Sequence, residues 1–321
     1  MWSSKKVCGL AFASVLMAVG LCSLPAEAEQ QAEGFALERL YTSAPGGGWI
    51  VMDALDMHGG LGGAIELTTG FESDPLRVRA GAGGQSLAVV SSEEFVDFGL
   101  AATYDRYRVY TNFTMPVHLN GDSGTVGDYT YTAPNVSLGS DPDTVSDIRL
   151  GFDARLLGGA RSPFRLGVGA QVFIPNDSRA DYDTDGHVRA MGRLLFAGDK
   201  GIFTYAGQAG VHIRTLNDSP IPGSPQGSEF LFGIAGGVKI PAGRARRLVV
   251  GSEVYGASAF RSFMEPAETD KEWLISTRFE GTGNSGRLAR LKLGVGGGIN
   301  PQFGAPKWRV VLTVEFFGWM K

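Results

Sequence analysis

The chain has 321 residues, 29 Lys and Arg against 33 Asp and Glu, and 43% hydrophobic residues. Its two cysteines, Cys8 and Cys22, both fall in the first 22 residues, and its 47 glycines follow no collagen period. The acidic balance excludes a basic nucleic-acid surface, and the cysteine placement excludes a disulfide framework or a cysteine–zinc site in the body of the chain.

At the N-terminus, Lys5 and Lys6 precede an apolar run from Val7 to Leu24, closed by Ala26-Glu27-Ala28. Cations, a short apolar stretch and a small-x-small site make a secretory signal peptide of residues 1–28. Gly9, Ser14 and Gly20 weaken the reading of a retained anchor helix, and Leu21 is too bulky to precede a lipidated cysteine. Removing this segment takes away two lysines and one glutamate, so the exported chain stays acidic. No later run is long and apolar enough for a transmembrane helix.

Residues 29–60 follow as a periplasmic lead-in or plug. Trp49-Ile50-Val51-Met52-Asp53-Ala54-Leu55 is apolar enough to seat itself, at the lumen mouth or on the periplasmic rim. From residue 61 to 317 the dominant signal is period two. Tyr107, Val109, Thr111, Phe113 and Met115 alternate with Arg106, Arg108, Tyr110, Asn112 and Thr114. The same alternation places Ile148, Leu150, Phe152 and Ala154 opposite Asp147, Arg149, Gly151, Asp153 and Arg155. Near the end, Trp308, Val310, Leu312, Val314 and Phe316 oppose Arg309, Val311, Thr313, Glu315 and Phe317. Such segments are strands with one greasy and one wet face.

About twelve are legible, near 61–72, 94–104, 106–119, 144–157, 163–175, 187–197, 201–214, 228–241, 246–257, 271–281, 288–299 and 307–317. Short turns alternate with longer polar stretches at 73–93, 120–143, 176–186, 215–227 and 258–270. Tight turns at one end and long loops at the other predict a closed antiparallel transmembrane β-barrel, with both chain ends in the periplasm. Aromatics support it. Tyr104, Tyr107, Phe164, Phe196, Phe203, Phe279 and Phe316 lie beside the short turns; Phe71, Phe230, Trp273 and Trp308 lie near the long loops. A soluble β-sandwich has shorter strands and no reason for two such belts. Residues 318–321 form a tail.

On the wet face, cations outnumber carboxylates. The candidate lumen and solute-binding residues are Arg108, Arg149, Arg155, Arg165 and Arg193, with Asp147, Asp153 and Glu253. Arg–carboxylate forks that brace the wall are one use of them; an anion-attracting constriction is the other. Arg149, Arg165 and Arg193, on the fourth to sixth strands, are expected to form an arc at one depth with a mild anion preference. Twelve strands lie between barrels filled by side chains and barrels with open channels, and both states of the lumen are compatible with the sequence. On this alternation Leu312→Arg meets lipid, whereas Thr313→Arg, on the lumen face, should cost much less.

Motifs for chemistry dissolve on inspection. Gly281-Thr282-Gly283-Asn284-Ser285-Gly286 fits a dinucleotide fingerprint, but a strand pattern follows it where a helix is required. Gly121-Asp122-Ser123-Gly124 is read as a loop turn, since neither His58 nor His118 has the setting of a catalytic histidine. Asp181-Tyr182-Asp183-Thr184-Asp185-Gly186 opens like a calcium loop, but position twelve is Gly192 rather than a bidentate glutamate, which leaves room only for weak calcium binding. No histidine pair has ligand spacing. No enzyme, metal centre or cofactor is expected.

With strands and polarity assigned, Phe35-Ala36-Leu37-Glu38-Arg39, Trp49 and Asp53-Ala54-Leu55-Asp56 resemble the N-terminal barrel of OmpA-family proteins of myxobacterial type. Tyr104 to Leu119, Asp147 to Pro175 and Gly186 to Leu195 continue the resemblance. It implies a porin- or transporter-like barrel in the outer membrane of a Gram-negative bacterium, with lipid, small polar solutes and the barrel assembly machinery as partners. The peptidoglycan-binding domain that usually follows is not in this chain. A plugged structural or surface-interaction barrel is the competing expectation.

Overall fold

The computed structural model describes residues 30–80, 84–137, 145–176, 178–216, 227–243, 246–265, 269–281, 287–299 and 304–320. The signal segment 1–28, positions 282–286 of the glycine turn, and Lys321 lie outside them. Twelve antiparallel strands make the wall: β1 (Leu61–Arg79), β2 (Ser86–Tyr104), β3 (Tyr107–Asn120), β4 (Ile148–Leu157), β5 (Arg165–Ile174), β6 (Arg189–Lys200), β7 (Phe203–Ile213), β8 (Glu229–Pro241), β9 (Arg246–Ala259), β10 (Thr269–Gly281), β11 (Arg287–Gly298) and β12 (Trp308–Trp319). Each pairs with its neighbours in sequence, and β12 pairs with β1 from Trp308↔Ser73 to Trp319↔Gly62, so the sheet closes. The fold is a closed twelve-stranded antiparallel barrel.

The alternation reads directly into the two faces. On β12, Trp308, Leu312 and Phe316 are exposed while Arg309, Val311, Thr313 and Glu315 are buried. The outer face is apolar, and Tyr104, Tyr107, Phe164, Phe203 and Phe316 ring its short-turn end. Trp273, and Trp308 against Phe71 with ring centroids 5.0 Å apart, mark the other end. Leu312→Arg is expected to destabilise the barrel by about 2–4 kcal/mol, because a guanidinium meets hydrocarbon near mid-bilayer. Met320→Arg, at the exposed short-turn rim, should cost about 0–1 kcal/mol. Urea midpoints of heat-modifiable electrophoretic mobility check both; equal losses would contradict the assigned depths.

Two expectations are corrected at the long-loop end. Residues 73–93 are not mainly loop: β1 and β2 run on to Arg79 and back from Ser86, past register shifts at Ser73, Leu76 and Arg77. Asp74-Pro75 and the run of serines conceal this, but Leu76, Val78, Val89 and Val90 are buried there with Leu119, Val126, Tyr131, Val136 and Tyr182. A second apolar core therefore caps the barrel at that end. The other correction concerns the chain's entry. The last described residues lie at the short-turn end, where Met320 N donates to Leu61 O at 2.7 Å. Gln30–Gln31, however, pairs in parallel with Tyr129 and Thr130 among the long loops. Residues 32–58 cross from one end to the other.

Candidate functional site

They cross through the barrel. Phe35, Leu37, Leu40, Trp49, Ile50, Val51, Met52, Leu55 and Met57 are all buried, and the inner wall is shaped to receive them. Where the segment is bulky, the wall is small. A side chain added at Gly99 would strike Pro45, at Gly167 Leu55, at Gly233 Met52, at Gly294 Ile50, and at Gly237 or Gly251 Trp49. Ala197, Ala206 and Ala235 pack in the same cluster as Trp49 to Met52. Part of the glycine excess is thus room for a second layer inside the first. The segment itself folds tightly: Gly47 N donates to Ala44 O at 2.7 Å and Ala54 N to Gly47 O at 2.7 Å. Gly46 and Gly48 supply the left-handed φ of 87° and 97° that this hairpin needs.

Wall side chains satisfy the segment's backbone. Glu253 on β9 is fully buried; its Oε1 accepts from Ile50 N at 2.9 Å, and its Oε2 from Val51 N at 2.9 Å and Met52 N at 3.0 Å. Three successive amides around one carboxylate form an anion-holding concavity, here filled by the protein's own wall. Arg149 donates to Thr42 O and Thr42 Oγ1, both at 2.7 Å. Arg155 donates to Leu55 O at 3.0 Å and Met57 O at 2.6 Å. Lys292 reaches Trp49 O at 3.2 Å and Glu66 at 2.9 Å, and the Arg278 guanidinium lies 5.2 Å from the Trp49 ring.

Midway, Arg108, Asp153, Gly169 and Arg193 stand in one cross-strand row on β3 to β6. Asp153 binds Arg108 at 2.8 Å and Arg193 at 3.1 Å, and the segment contributes Asp53 as a second partner of Arg108. Asp147 pairs with Arg189 at 2.6 Å, and Arg165 with Asp199 at 2.8 Å. At the long-loop end Asp185 binds Arg214 and accepts from Ala36 N at 2.9 Å. Burial alone favours the neutral acid, but the Arg214 guanidinium and its hydrogen bond hold the Asp185 carboxyl below the usual range. The loop 181–186 therefore spends its best ligand on structure.

All eight predicted lumen residues face inward and are buried. The expected arc does not form. Arg149 is level with Phe173, Arg193 with Gly169, and Arg165 with Ala197, so the three lie at three depths. Strands of a barrel are staggered, and equal distance from a strand's end is not equal height in the lumen. The forecast for Thr313→Arg also fails on this geometry. Thr313 is 2% exposed, shares a hydrogen bond of 2.8 Å with Thr68, and stands opposite Lys292, so an arginine there meets a filled, cationic site. Arg106 sits in the β2–β3 turn, exposed. Buried acids that strand counting missed are Glu66, Glu72 and Glu93 on the two least regular strands, and Asp53 on the segment. Glu66 and Glu72 stand at even spacing on one face of β1, opposite Glu315 and Arg309, and that was the available signal.

Space remains at both ends. A cavity of about 370 Å³ opens at the short-turn end, lined by Arg161, Arg165, Lys239, Arg247, Arg278 and Arg290 against Asp56, Asp199 and Glu280. At the long-loop end about 60 Å³ is left among Glu38, Glu93, Asp97, Asp147, Asp183, Arg149 and Arg189. His212 is buried between the rings of Tyr41 and Phe173, and His118 meets Asn120 at 2.6 Å; neither is paired with a serine among the described residues.

No protein-family pattern matches the sequence, and no curated protein does. Among solved structures, an outer membrane channel from Pseudomonas putida F1 superposes with a TM-score of 0.51 at 13% identity, over 81% of this chain and 95% of that one. The NanC porin gives 0.45 at 4% identity, over 80% and 100%. A FadL homologue from Pseudomonas aeruginosa gives 0.42 at 9%, over 89% and 99%. The first similarity establishes the kind of fold: that of a Gram-negative outer-membrane barrel.

Proposed function

We propose that the protein is a channel-type barrel of the outer membrane, exported by a cleaved signal peptide and closed by its own residues 32–58, which passes small polar solutes when that segment moves. The observation that carries this reading is the division of labour inside the lumen. The wall facing Trp49 to Met52 sets glycines and alanines among its larger side chains, leaving space that a separable segment fills. A barrel meant to be solid would fill its lumen from the wall itself. Some of the residues that carry the resemblance to myxobacterial OmpA-type barrels, Phe35 to Arg39, Trp49 and Asp53 to Asp56, belong to this segment, and the others to the barrel.

Deleting residues 32–58 should convert a silent protein in planar bilayers into one with discrete conductance steps. Steps of equal size and frequency in the wild type would return the reading to an open porin. Silence of a correctly folded deletion variant would favour the structural or surface-interaction barrel, which the apolar cap at the long-loop end supports. Any anion preference of the open state rests on the short-turn vestibule, where six cations face three carboxylates, and no longer on an arc. Replacing Arg161, Arg165 and Arg247 with Gln should shift reversal potentials of the deletion variant toward cations.

A further inference from the structure

We propose that Glu38, Glu72 and Glu93 form a divalent-cation site, selective for calcium, that fastens the lumen segment to the wall at the long-loop end. Glu38 belongs to the segment. Glu72 on β1 and Glu93 on β2 are cross-strand partners, and carboxylate oxygens of all three lie within 4.8 Å of one another. Oxygens on opposite sides of a calcium ion bound at ~2.4 Å are ~4.8 Å apart.

Two further observations point to a ligand. Glu72 is 1% exposed, and its Oε1 meets no cation or backbone donor. Its Oε2 lies 2.9 Å from Arg309, but the same guanidinium serves Glu272 at 2.8 Å and Glu38 at 3.1 Å. Among the described residues no cation pairs with Glu93. Three acids thus converge on one guanidinium, with Glu93 beside them as a fourth in a buried place, an imbalance that protons or a metal ion would relieve. The cavity of about 60 Å³ beside Glu38 and Glu93 supplies the route, and Asp97, Asp147 and Asp183 on its lining draw cations toward it. All-carboxylate donors of irregular arrangement suit calcium, which tolerates flexible geometry, better than magnesium or a transition metal. The site rests on where the segment lies and not on whether the lumen ever opens.

Calcium chloride titrated by calorimetry into the EDTA-treated, refolded protein should show one binding event. Glu72→Gln with Glu93→Gln should weaken it at least ~10-fold. Calcium should slow proteolysis within residues 32–58 of the wild type but not of Glu38→Gln. In EDTA the double variant should melt no lower than wild type, since a like-charge contact is gone. A lower melting point there would show that the acids serve only Arg309, and would overturn the site. Absence of binding to the wild type, or unchanged affinity in the double variant, would overturn it equally.

Discussion

Glu253→Gln is expected to unseat the lumen segment while leaving the barrel wall intact. The carboxylate accepts three backbone amides, and the amide side chain can accept at one oxygen only; its NH2 group faces donors that it cannot satisfy. At least one buried amide is then orphaned and the two remaining bonds lose their charge assistance, together about 3 kcal/mol. That corresponds to a roughly 100-fold rise in the population of the released segment. Protease cleavage within 32–58 should accelerate accordingly, and brief conductance events should appear. Heat-modifiable mobility should be unchanged, because β9 keeps its ladders to β8 and β10. A variant cleaved no faster than wild type would mean that apolar contacts of Trp49 and Met52 alone hold the segment.

The wall was legible because its physics is local. Alternation sorts Leu312 from Thr313 and Leu150 from Arg149 without any knowledge of neighbours, since period two follows from the strand itself. Turn and loop lengths then ordered the strands. The lumen was not legible, because its contents depend on which residues meet across the barrel. Trp49 to Leu55 showed an apolar segment in search of a seat, but nothing local distinguishes a lumen from a periplasmic rim. The seat was recorded elsewhere, in the small inner residues Gly233, Ala235, Gly237, Gly251 and Gly294, whose meaning appears only once those strands are curled into one wall. Depth was lost for a related reason. Arg149, Arg165 and Arg193 look equivalent by strand position, and only the register, with its stagger, separates them. The extended β1–β2 hairpin was hidden by Asp74-Pro75, where Asp74 takes a positive φ of 51° and the register slips without ending the strand.

Asp153→Asn should be among the most damaging single changes in the wall. Asp153 is fully buried and divides its oxygens between Arg108 and Arg193, so with Asp53 the cluster holds two cations and two anions. Asparagine removes one anion and leaves an uncompensated guanidinium in a filled lumen, a loss of about 3–5 kcal/mol. The charge cannot be shed, since guanidinium stays protonated. Adding Arg193→Gln to Asp153→Asn restores neutrality, because Arg108 keeps Asp53, and should recover part of the loss. The two sites are in contact, so their effects should not add. Urea unfolding of the four proteins of this cycle measures the coupling. Additive losses would mean that Arg193 is held by Tyr110, 2.9 Å away, rather than by Asp153, and the row across β3 to β6 would be packing rather than electrostatics.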